Sequence, residues 1–356
     1  MDFALDDDQQ LIVDTVRRFA DRELRSWAAD ADRAGTVPER LTNAATEMGF
    51  FTDAVPASAG GLLEGAYSHL TRALRGFELG RGCAAMAALL EANVEPALAV
   101  AKWGTPAAQQ ALFGALAQGA LASFVYDSRG NLTVATEGDS VRVTGKLGPG
   151  PVLAAATHVL VGTKDLLLLV PTDGLRREAM VPSGWRAAKW ATIELESHRV
   201  PAEFVVSRSA AAVAEVLAWA RVSLAARAAG VATAAIDFAE AYGKERVQFG
   251  QPIGNFEALI RLRDDAQTNI AAAHLVVLHA AWQIDRGMAS ANDRASRARV
   301  LAGDVVSRAT IDAVQIFGGY GFVNDYPVEK LMRDARAFEA LLGDERLGRV
   351  LSQKAS

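Results

Sequence analysis

The sequence has little of what would direct a protein outside the cell or toward a metal cluster. Cys83 is the single cysteine among 356 residues, which excludes an internal disulfide and any site built from several thiolates. The opening stretch, residues 1–8, is acidic where a secretory signal needs basic residues followed by an apolar run. These features predict a cytoplasmic protein.

Concentrated positive charge and long apolar runs are also missing. The chain has 37 Lys and Arg against 42 Asp and Glu, with a net charge of −5, and no basic stripe. Nucleic acid and anionic membranes are therefore not expected partners. The most apolar tract, 153–171, is interrupted by His158, Lys164 and Asp165 and cannot span a bilayer. The sequence predicts a soluble protein.

Several common ligand-binding motifs are absent. Gly319-Tyr320-Gly321 follows a helical pattern and has Asn324 where a dinucleotide-binding fingerprint needs its third glycine. Gly145-Lys146 is followed by Leu147 rather than the hydroxyl residue of a phosphate-binding loop. The five histidines contain no pair spaced four residues apart, so no metal site is expected.

The pattern of apolar residues and turn residues along the chain predicts an α+β protein of three regions. Residues 1–118 form an all-α domain, because Asp6 is a plausible helix cap and Ile12, Val16 and Phe19 recur on one helical face. Proline and glycine then divide this domain into several helices.

The second region, residues 119–208, carries short runs typical of strands, separated by polar, glycine or proline turns. No helices lie between the runs, which favours an antiparallel barrel or sandwich over a parallel sheet. The runs are 131–136, 140–144, 158–161, 166–170 and 193–199.

The third region, residues 209–356, returns to helical periodicity. Leu217, Leu224, Val231 and Phe238 recur every seven residues and predict a closely packed helix. Long helical patterns at about 256–286 and 294–317 follow, so we expect a C-terminal four-helix bundle.

Two stretches of this third region resemble the C-terminal signatures of the acyl-CoA dehydrogenase superfamily. The first runs from Tyr242 to Gly254, and the second from Gln315 to Phe322, continuing through Pro327 to Arg336. The resemblance implies the same three-domain fold. It also implies a flavoprotein that desaturates an acyl-CoA, removing the α-proton with a carboxylate and passing the β-hydride to FAD.

The resemblance implies that these segments reach the FAD of a neighbouring subunit. Arg246 would pair with the pyrophosphate, Phe249 would contact the adenine, and glycines would let the backbone approach the cofactor. Alternatively, Arg246 is a solvated charge at a helix end and the glycines only stop a helix. The implied cofactor-binding residues are Arg246, Gln248, Phe249, Gln315, Gly318 and Gly319.

The catalytic base of the family is missing from its expected places. Typical members carry a Glu-Gly-Thr motif where this chain has Leu342, and some relatives carry the glutamate instead where this chain has Ala220. Neither side chain can accept a proton. Glu339 and Asp344 lie nearby and are weak candidates for a relocated base, since each is more simply read as a solvated charge.

The flavin-cradling segments also depart from the family pattern. The chain continues from Ser123 to Phe124–Asn131 without the Thr-Glu-Pro-x-Ala-Gly-Ser-Asp loop that typical members have there. Gly148–Pro151 replaces the Trp-Ile-Thr stretch that faces the flavin ring. The pattern resembles the base-lacking chain of heterotetrameric acyl-CoA dehydrogenases, such as those acting on steroid side-chain thioesters.

Three hypotheses follow. The chain is the non-catalytic or half-site subunit of a heterotetramer, in which FAD is bound only at an interface with a partner. Alternatively, it is a self-sufficient homotetrameric dehydrogenase or related flavin enzyme with a relocated base. The third possibility is a non-enzymatic scaffold that keeps only the fold. The acyl chain or sterol that would be bound cannot be read from the sequence.

Overall fold

A computed structural model describes residues 4–341, and its first third is helical. Helix α1 begins after Asp6, whose carboxylate accepts the N–H of Gln9 at 2.8 Å while the Gln9 side chain accepts the N–H of Asp6. This reciprocal capping box satisfies two donors at the helix start. The helices of this region are α1 (Asp7–Phe19), α2 (Ala28–Ala34), α3 (Glu39–Glu47), α4 (His69–Gly82), α5 (Ala84–Leu90), α6 (Val94–Trp103) and α7 (Pro106–Ala117).

Residues 121–207 form two four-stranded sheets, one of order β1-β4-β5-β8 and the other of order β2-β3-β7-β6. Alternate residues of β3 and β7 pack against alternate residues of β4 and β5, which makes a sandwich core. The strands are β1 (Leu121–Tyr126), β2 (Thr133–Glu137), β3 (Ser140–Gly150), β4 (Ala156–Gly162), β5 (Leu167–Pro171), β6 (Arg177–Ala179), β7 (Ala191–Pro201) and β8 (Val205–Ser207).

One pairing in the first sheet is parallel. Strand β1 pairs with β4 in parallel, with Ala122 opposite His158, whereas the other strand pairs in the two sheets are antiparallel. Parallel neighbours need a long connection, and here β2 and β3 supply it by passing through the second sheet. The predicted α+β architecture with a central, mainly antiparallel β region is confirmed.

Strand β3 does not stop where the Gly-Pro segment replaces the family's Trp-Ile-Thr stretch. It stays paired with β7 as far as Gly150, which lies opposite Ala191, and a register shift between Leu147 and Gly150 absorbs the irregular segment. The replacement of the Trp-Ile-Thr stretch therefore does not remove the strand. The backbone that would face a flavin ring is still present, but its side chains are different.

After the β region the chain forms long helices that pack against one another, as predicted for a bundle. Leu217, Leu224 and Val231 of the predicted seven-residue repeat are buried, and Phe238 packs at the edge of the same core. The elements of this region are α8 (Ala210–Glu245), the two-stranded hairpin β9 (Val247–Gln248) and β10 (Gln251–Pro252), α9 (Glu257–Asp285), α10 (Ala291–Phe317) and α11 (Pro327–Ala340).

Helix α8 is the central element of the molecule. Among the described residues it is the one unbroken helix long and apolar enough to cross a membrane, but 83% of that apolar window is buried within the protein. It packs against α4, α9, α10 and α11. Its apolar length is thus used as the core of the fold.

Glycines bring α8 and α4 into backbone contact. A Cβ atom added to Gly230 of α8 would lie 2.8 Å from the N atom of Arg81, and one added to Gly80 of α4 would lie 2.8 Å from the Cα atom of Arg227. Since such distances are shorter than van der Waals contact, neither position accepts a side chain unless the helices separate.

We predict that Gly230→Ala destabilises the protein by about 1–3 kcal/mol through this forced separation. Gly114→Ala in α7 is the matched control, because open space surrounds its position and alanine improves helix propensity by about 0.5–1 kcal/mol. Urea unfolding of both variants measures the difference. Equal stability of the two variants would contradict the close packing of α4 and α8.

Candidate functional site

The residues predicted to bind FAD lie on two exposed segments that meet in space. One is the C-terminal end of α8 with the β9–β10 hairpin that follows it, and the other is the last turn of α10 with the turn Gly318–Phe322. The guanidinium carbon of Arg246 lies 5.4 Å from the centre of the Tyr320 ring, which joins the two segments. We call the following set the hairpin–turn surface: Arg246, Gln248, Phe249, Gln315, Gly318 and Gly319.

An aromatic cluster supports this surface from beneath. The rings of Tyr242 and Phe317 stack with centroids 4.2 Å apart, and the Tyr326 ring meets Phe317 edge-on at 5.3 Å. These residues come from α8, α10 and the start of α11, so the cluster fixes the ends of three elements relative to one another. Burial raises the pKa of Tyr242, whose ring is part of this support.

Phe249 stands at the tip of the hairpin in an unusual state. Its side chain is 94% exposed, and its backbone φ of +50° is uncommon for a residue other than glycine. Because this ring lies in water, it contributes no hydrophobic free energy to the folding of the chain. An exposed ring on a strained backbone is typical of a contact made with another molecule.

The two glycines of the surface have different explanations. Gly318 has φ +58° and ψ −132°, a conformation that essentially requires glycine, and its N–H caps α10 by donating to the carbonyl of Gln315. Gly319 has no such backbone demand, and no described atom lies within 4 Å of a Cβ built on it. No backbone angle and no contact among the described residues therefore requires glycine at position 319. The close approach of a group from another molecule would explain a glycine there.

A cavity of about 540 Å³ lies elsewhere, between the β region and the bundle. It is large enough for a cofactor-sized ligand. Strands β1 and β3, the β1–β2 loop, α10 and α11 line it. Its charged lining residues are Asp127, Arg129, Lys146, Arg299, Asp304, Arg336 and Glu339.

The inner wall of this cavity is formed by Trp190. Its indole N–H donates to the carbonyl of Trp185 at 3.1 Å, which fixes the ring. Trp190 directly precedes Ala191, the partner of Gly150 in the β3–β7 pair. An aromatic side chain from the residue before β7 therefore lines the cavity beside the segment of β3 that lacks one.

The β1–β2 loop at the cavity is short and bonded to itself. The Asp127 carboxylate accepts the N–H groups of Asn131 and Leu132, each at 2.9 Å. This pattern closes the loop where the family's longer flavin-cradling loop would stand. The loop is thus short and closed in this chain, and the deletion of a longer family loop stays a prediction from the resemblance.

The candidate carboxylate base Glu339 lines the cavity but is engaged. Its Oε1 atom accepts hydrogen bonds from Arg336 at 2.9 Å and from the Ser307 hydroxyl at 3.1 Å. A carboxylate held in an ion pair is a poor acceptor for a substrate proton. The other predicted positions, Leu342 and Asp344, lie outside the described residues.

The alternative position of the family base is enclosed by protein. Ala220 is buried on α8, and the neighbouring Arg221 donates to the hydroxyl of Ser296 on α10 at 3.1 Å. One and two turns further along α8, Ser223 and Arg227 approach the buried carboxylate of Glu91. Although burial alone would raise the pKa of Glu91, surrounding arginines bring it below the usual value.

Comparison with known proteins identifies the family. The profile of the acyl-CoA dehydrogenase N-terminal domain matches residues 6–120, and that of the C-terminal domain matches residues 210–354. Cyclohex-1-ene-1-carbonyl-CoA dehydrogenase of Geobacter metallireducens is 30% identical over 99% of this chain and 98% of its own length. The chain belongs to the acyl-CoA dehydrogenase family.

Other similar acyl-CoA dehydrogenases match over their whole lengths. The short-chain-specific acyl-CoA dehydrogenase of Clostridium acetobutylicum is 28% identical over 99% of this chain and 98% of its own length. The butyryl-CoA dehydrogenase structure of Megasphaera elsdenii superposes with a TM-score of 0.88 at 25% identity, covering 100% of this chain and 99% of that one. Members of this family are FAD flavoproteins that bind acyl-CoA and assemble as oligomers.

The residues of this acyl-CoA dehydrogenase family chain fit one part of FAD well. The hairpin–turn surface offers the cationic fork of Arg246, the exposed ring of Phe249 and open space at Gly319, which suit a pyrophosphate and an adenine. The cavity offers volume for a ring system, but its β1–β2 loop is closed on itself.

Sequence reasoning missed the residues that shape the cavity. Trp190 and Arg299 both line it, and Arg299 is buried with its guanidinium donating to the carbonyl of Phe338. Gly303 makes room for that guanidinium, since an added Cβ would lie 2.7 Å from its Nη1. The spacing of Arg299 and Gly303, one turn apart on an otherwise apolar helix face, is the signal that could have indicated a buried arginine.

We predict that Phe249→Ala leaves the unfolding free energy of the chain within about 0.5 kcal/mol, because the ring is exposed. The same change weakens the oligomer by about 1–3 kcal/mol if the ring is buried by a neighbouring subunit. Leu11→Ala on α1, also an exposed apolar residue, is the control. Urea unfolding and sedimentation equilibrium measure the two quantities. Unchanged association would place the hairpin tip outside the subunit interface.

Proposed function

We propose that this chain is the base-lacking subunit of a heteromeric acyl-CoA dehydrogenase. A second dehydrogenase-like chain supplies the catalytic glutamate and the loop that cradles the flavin ring. The assembly is a tetramer with two copies of each chain, acting in the cytoplasm on an acyl-CoA thioester of fatty acid or steroid side-chain type. The single free cysteine, Cys83, is buried, which agrees with a reducing compartment.

The observation that carries this proposal is an asymmetry between two parts of the chain. The hairpin–turn surface presents an exposed ring, a cationic fork and an unexplained glycine outward, ready for a group held by another subunit. The base position on α8, by contrast, holds the buried methyl group of Ala220, and Glu339 is tied to Arg336. The chain is therefore better suited to complete the cofactor site of a neighbouring subunit than to catalyse the reaction in a site of its own.

Five of the six residues of the hairpin–turn surface have a definite task in this proposal. Arg246 pairs with the pyrophosphate of the FAD held by the partner, Phe249 covers its adenine, and Gln315 donates a hydrogen bond to it. Gly318 and Gly319 let the backbone approach the adenosine diphosphate portion. Bound FAD supplies the hydride acceptor, and this chain orients it.

The cavity supports a second candidate function. A volume of about 540 Å³ with Glu339 on its wall is compatible with a self-sufficient homotetramer in which this glutamate is a relocated base. For that role Glu339 would have to leave Arg336 and Ser307, which the described contacts do not favour. Turnover by the pure chain separates the two functions.

We predict that the isolated chain dehydrogenates acyl-CoA at least about 10²- to 10⁴-fold more slowly than an ordinary member, because no positioned base takes the α-proton. The measurement is steady-state turnover with an artificial electron acceptor on a series of acyl-CoAs. Near-normal turnover that disappears in Glu339→Gln would reject the proposal and identify Glu339 as the base.

We predict that Arg246→Ala lowers FAD affinity about ten- to a hundred-fold in the co-expressed heteromer, since a charge-assisted contact contributes roughly 1.5–3 kcal/mol. The partner to co-express is a dehydrogenase-like chain that carries the family's catalytic glutamate and flavin loop, sought first among the neighbouring genes, and the expected content is about one FAD per two chains. Flavin absorbance against protein concentration measures this.

Arg286→Ala is the matched control for this experiment. Arg286 is exposed, whereas Arg246 is half-buried, but the Arg286 guanidinium lies 5.5 Å from the ring centre of Trp282 much as that of Arg246 lies over Tyr320, and Arg286 is outside the hairpin–turn surface. Its replacement should leave flavin content unchanged. Full FAD occupancy in the lone chain, or equal FAD affinity in the two variants, would contradict the proposal.

A further inference from the structure

Trp190 is one of several apolar residues that line the cavity, together with Phe124, Leu147 and others, and it marks the side toward α5 and α8. Trp190 is 6% exposed and lies with Trp185 in one continuous apolar cluster that includes residues of α5 and α8. Trp185 is fully buried, and its ring meets the Phe338 ring edge-on with centroids 4.9 Å apart. Behind Trp190, therefore, the protein is closely packed rather than hollow.

Charged groups, not an apolar channel, lie beyond this packed layer. The guanidinium carbon of Arg227 is 5.7 Å from the centre of the Trp185 ring, and its Nε atom lies 3.9 Å from the Glu91 carboxylate. Ser223 donates to the same carboxylate at 3.0 Å. The space between α4, α5 and α8 is thus occupied by ionic contacts.

These contacts form a balanced and largely buried set of three arginines and three carboxylates. Arg72 donates to Glu95 at 2.7 Å, and Arg75 contacts Glu91 at 3.1 Å and also pairs with Asp53. The set, which we call the buried ionic cluster, consists of Arg72, Arg75, Arg227, Asp53, Glu91 and Glu95.

The buried ionic cluster opposes entry of an apolar chain. Each methylene group moved from water into an apolar pocket improves binding about fourfold. Separating one buried ion pair without replacing its partner costs on the order of 10²- to 10³-fold. The binding free energy gained by an acyl chain of several methylene groups would only offset the loss of a single ion pair. The cluster contains several ion pairs.

We propose that Trp190, backed by the buried ionic cluster, closes this chain's own cavity to acyl groups, so that the cavity does not distinguish acyl-CoAs by chain length. This inference rests on the proposed function and adds to it. In the heteromer the partner alone then selects the acyl chain, and Trp190 is the residue that removes chain-length selection on this side.

The test measures the affinity of the full-length chain for acetyl-, butyryl-, octanoyl- and dodecanoyl-CoA by isothermal titration calorimetry. For the wild type we expect affinities equal within about twofold across the series, including uniformly undetectable binding. For Trp190→Ala we expect about a fourfold gain per methylene over the first few carbons, ending where the chain meets Trp185. Trp282→Ala, which removes a tryptophan remote from the cavity, should behave as the wild type.

Two results would overturn the inference. One is a rise in affinity with chain length in the wild type, and the other is a flat series in folded Trp190→Ala. If that variant does not unfold cooperatively, Trp190→Val replaces it, and a flat series in folded Trp190→Val overturns the inference in the same way. Failure of the proposed function is a separate result, because it would appear as turnover by the lone chain whatever the dependence on chain length.

Discussion

The shape of the cavity depends on one buried carboxylate, Asp334. It accepts the backbone N–H of Trp185 at 2.7 Å and a hydrogen bond from the Lys330 ammonium at 2.5 Å. Burial alone would lower the pKa of Lys330, but the neighbouring carboxylate raises it above its usual value. Breaking a buried pair of this kind typically costs about 3–5 kcal/mol. The ion pair lies within α11 and compensates the buried charge of Asp334, and the hydrogen bond from the Trp185 N–H ties α11 to the β region.

The hydrogen bond between the Trp185 N–H and Asp334 holds the strained segment from Trp185 to Lys189 in place. Trp185 has φ +55° and Lys189 has φ +50°, and each left-handed residue costs roughly 1–2 kcal/mol unless its surroundings impose it. Gly184 allows the segment to touch α11, since an added Cβ would lie 2.8 Å from the Cα atom of Asp334. Trp190, at the end of this segment, therefore becomes a fixed wall rather than a mobile side chain.

The hairpin–turn surface differs from the cavity, because its functional groups face outward. The stacked rings of Tyr242 and Phe317 hold two backbone segments together, and the exposed groups above them are left for another molecule. The molecule accordingly has a rigid, inward-facing cavity and a presented, outward-facing surface. A subunit that completes a neighbour's cofactor site needs the outward-facing surface more than it needs the cavity.

The sequence by itself determined what depends on local periodicity and on contiguous motifs. The patterns at 256–286 and 294–317 correspond to α9 and α10. The apolar runs predicted β2, β3, β4, β5 and β7, but not β1, β6 and β8, because side chains of the longer strands alternate between two packed layers. The family signatures likewise lie in unbroken stretches, so the hairpin–turn surface could be proposed residue by residue.

Only the tertiary structure decided the features that join distant residues. The parallel pairing of β1 with β4, the place of Trp190 in the cavity wall and the hydrogen bond from Trp185 to Asp334 each link positions that are far apart along the chain. Strand β1 itself gave little signal, because its Ala-Ser-Phe sequence has no clear alternation. Packing between domains selects such contacts, and a pattern read along one segment contains no information about which distant segment will lie against it.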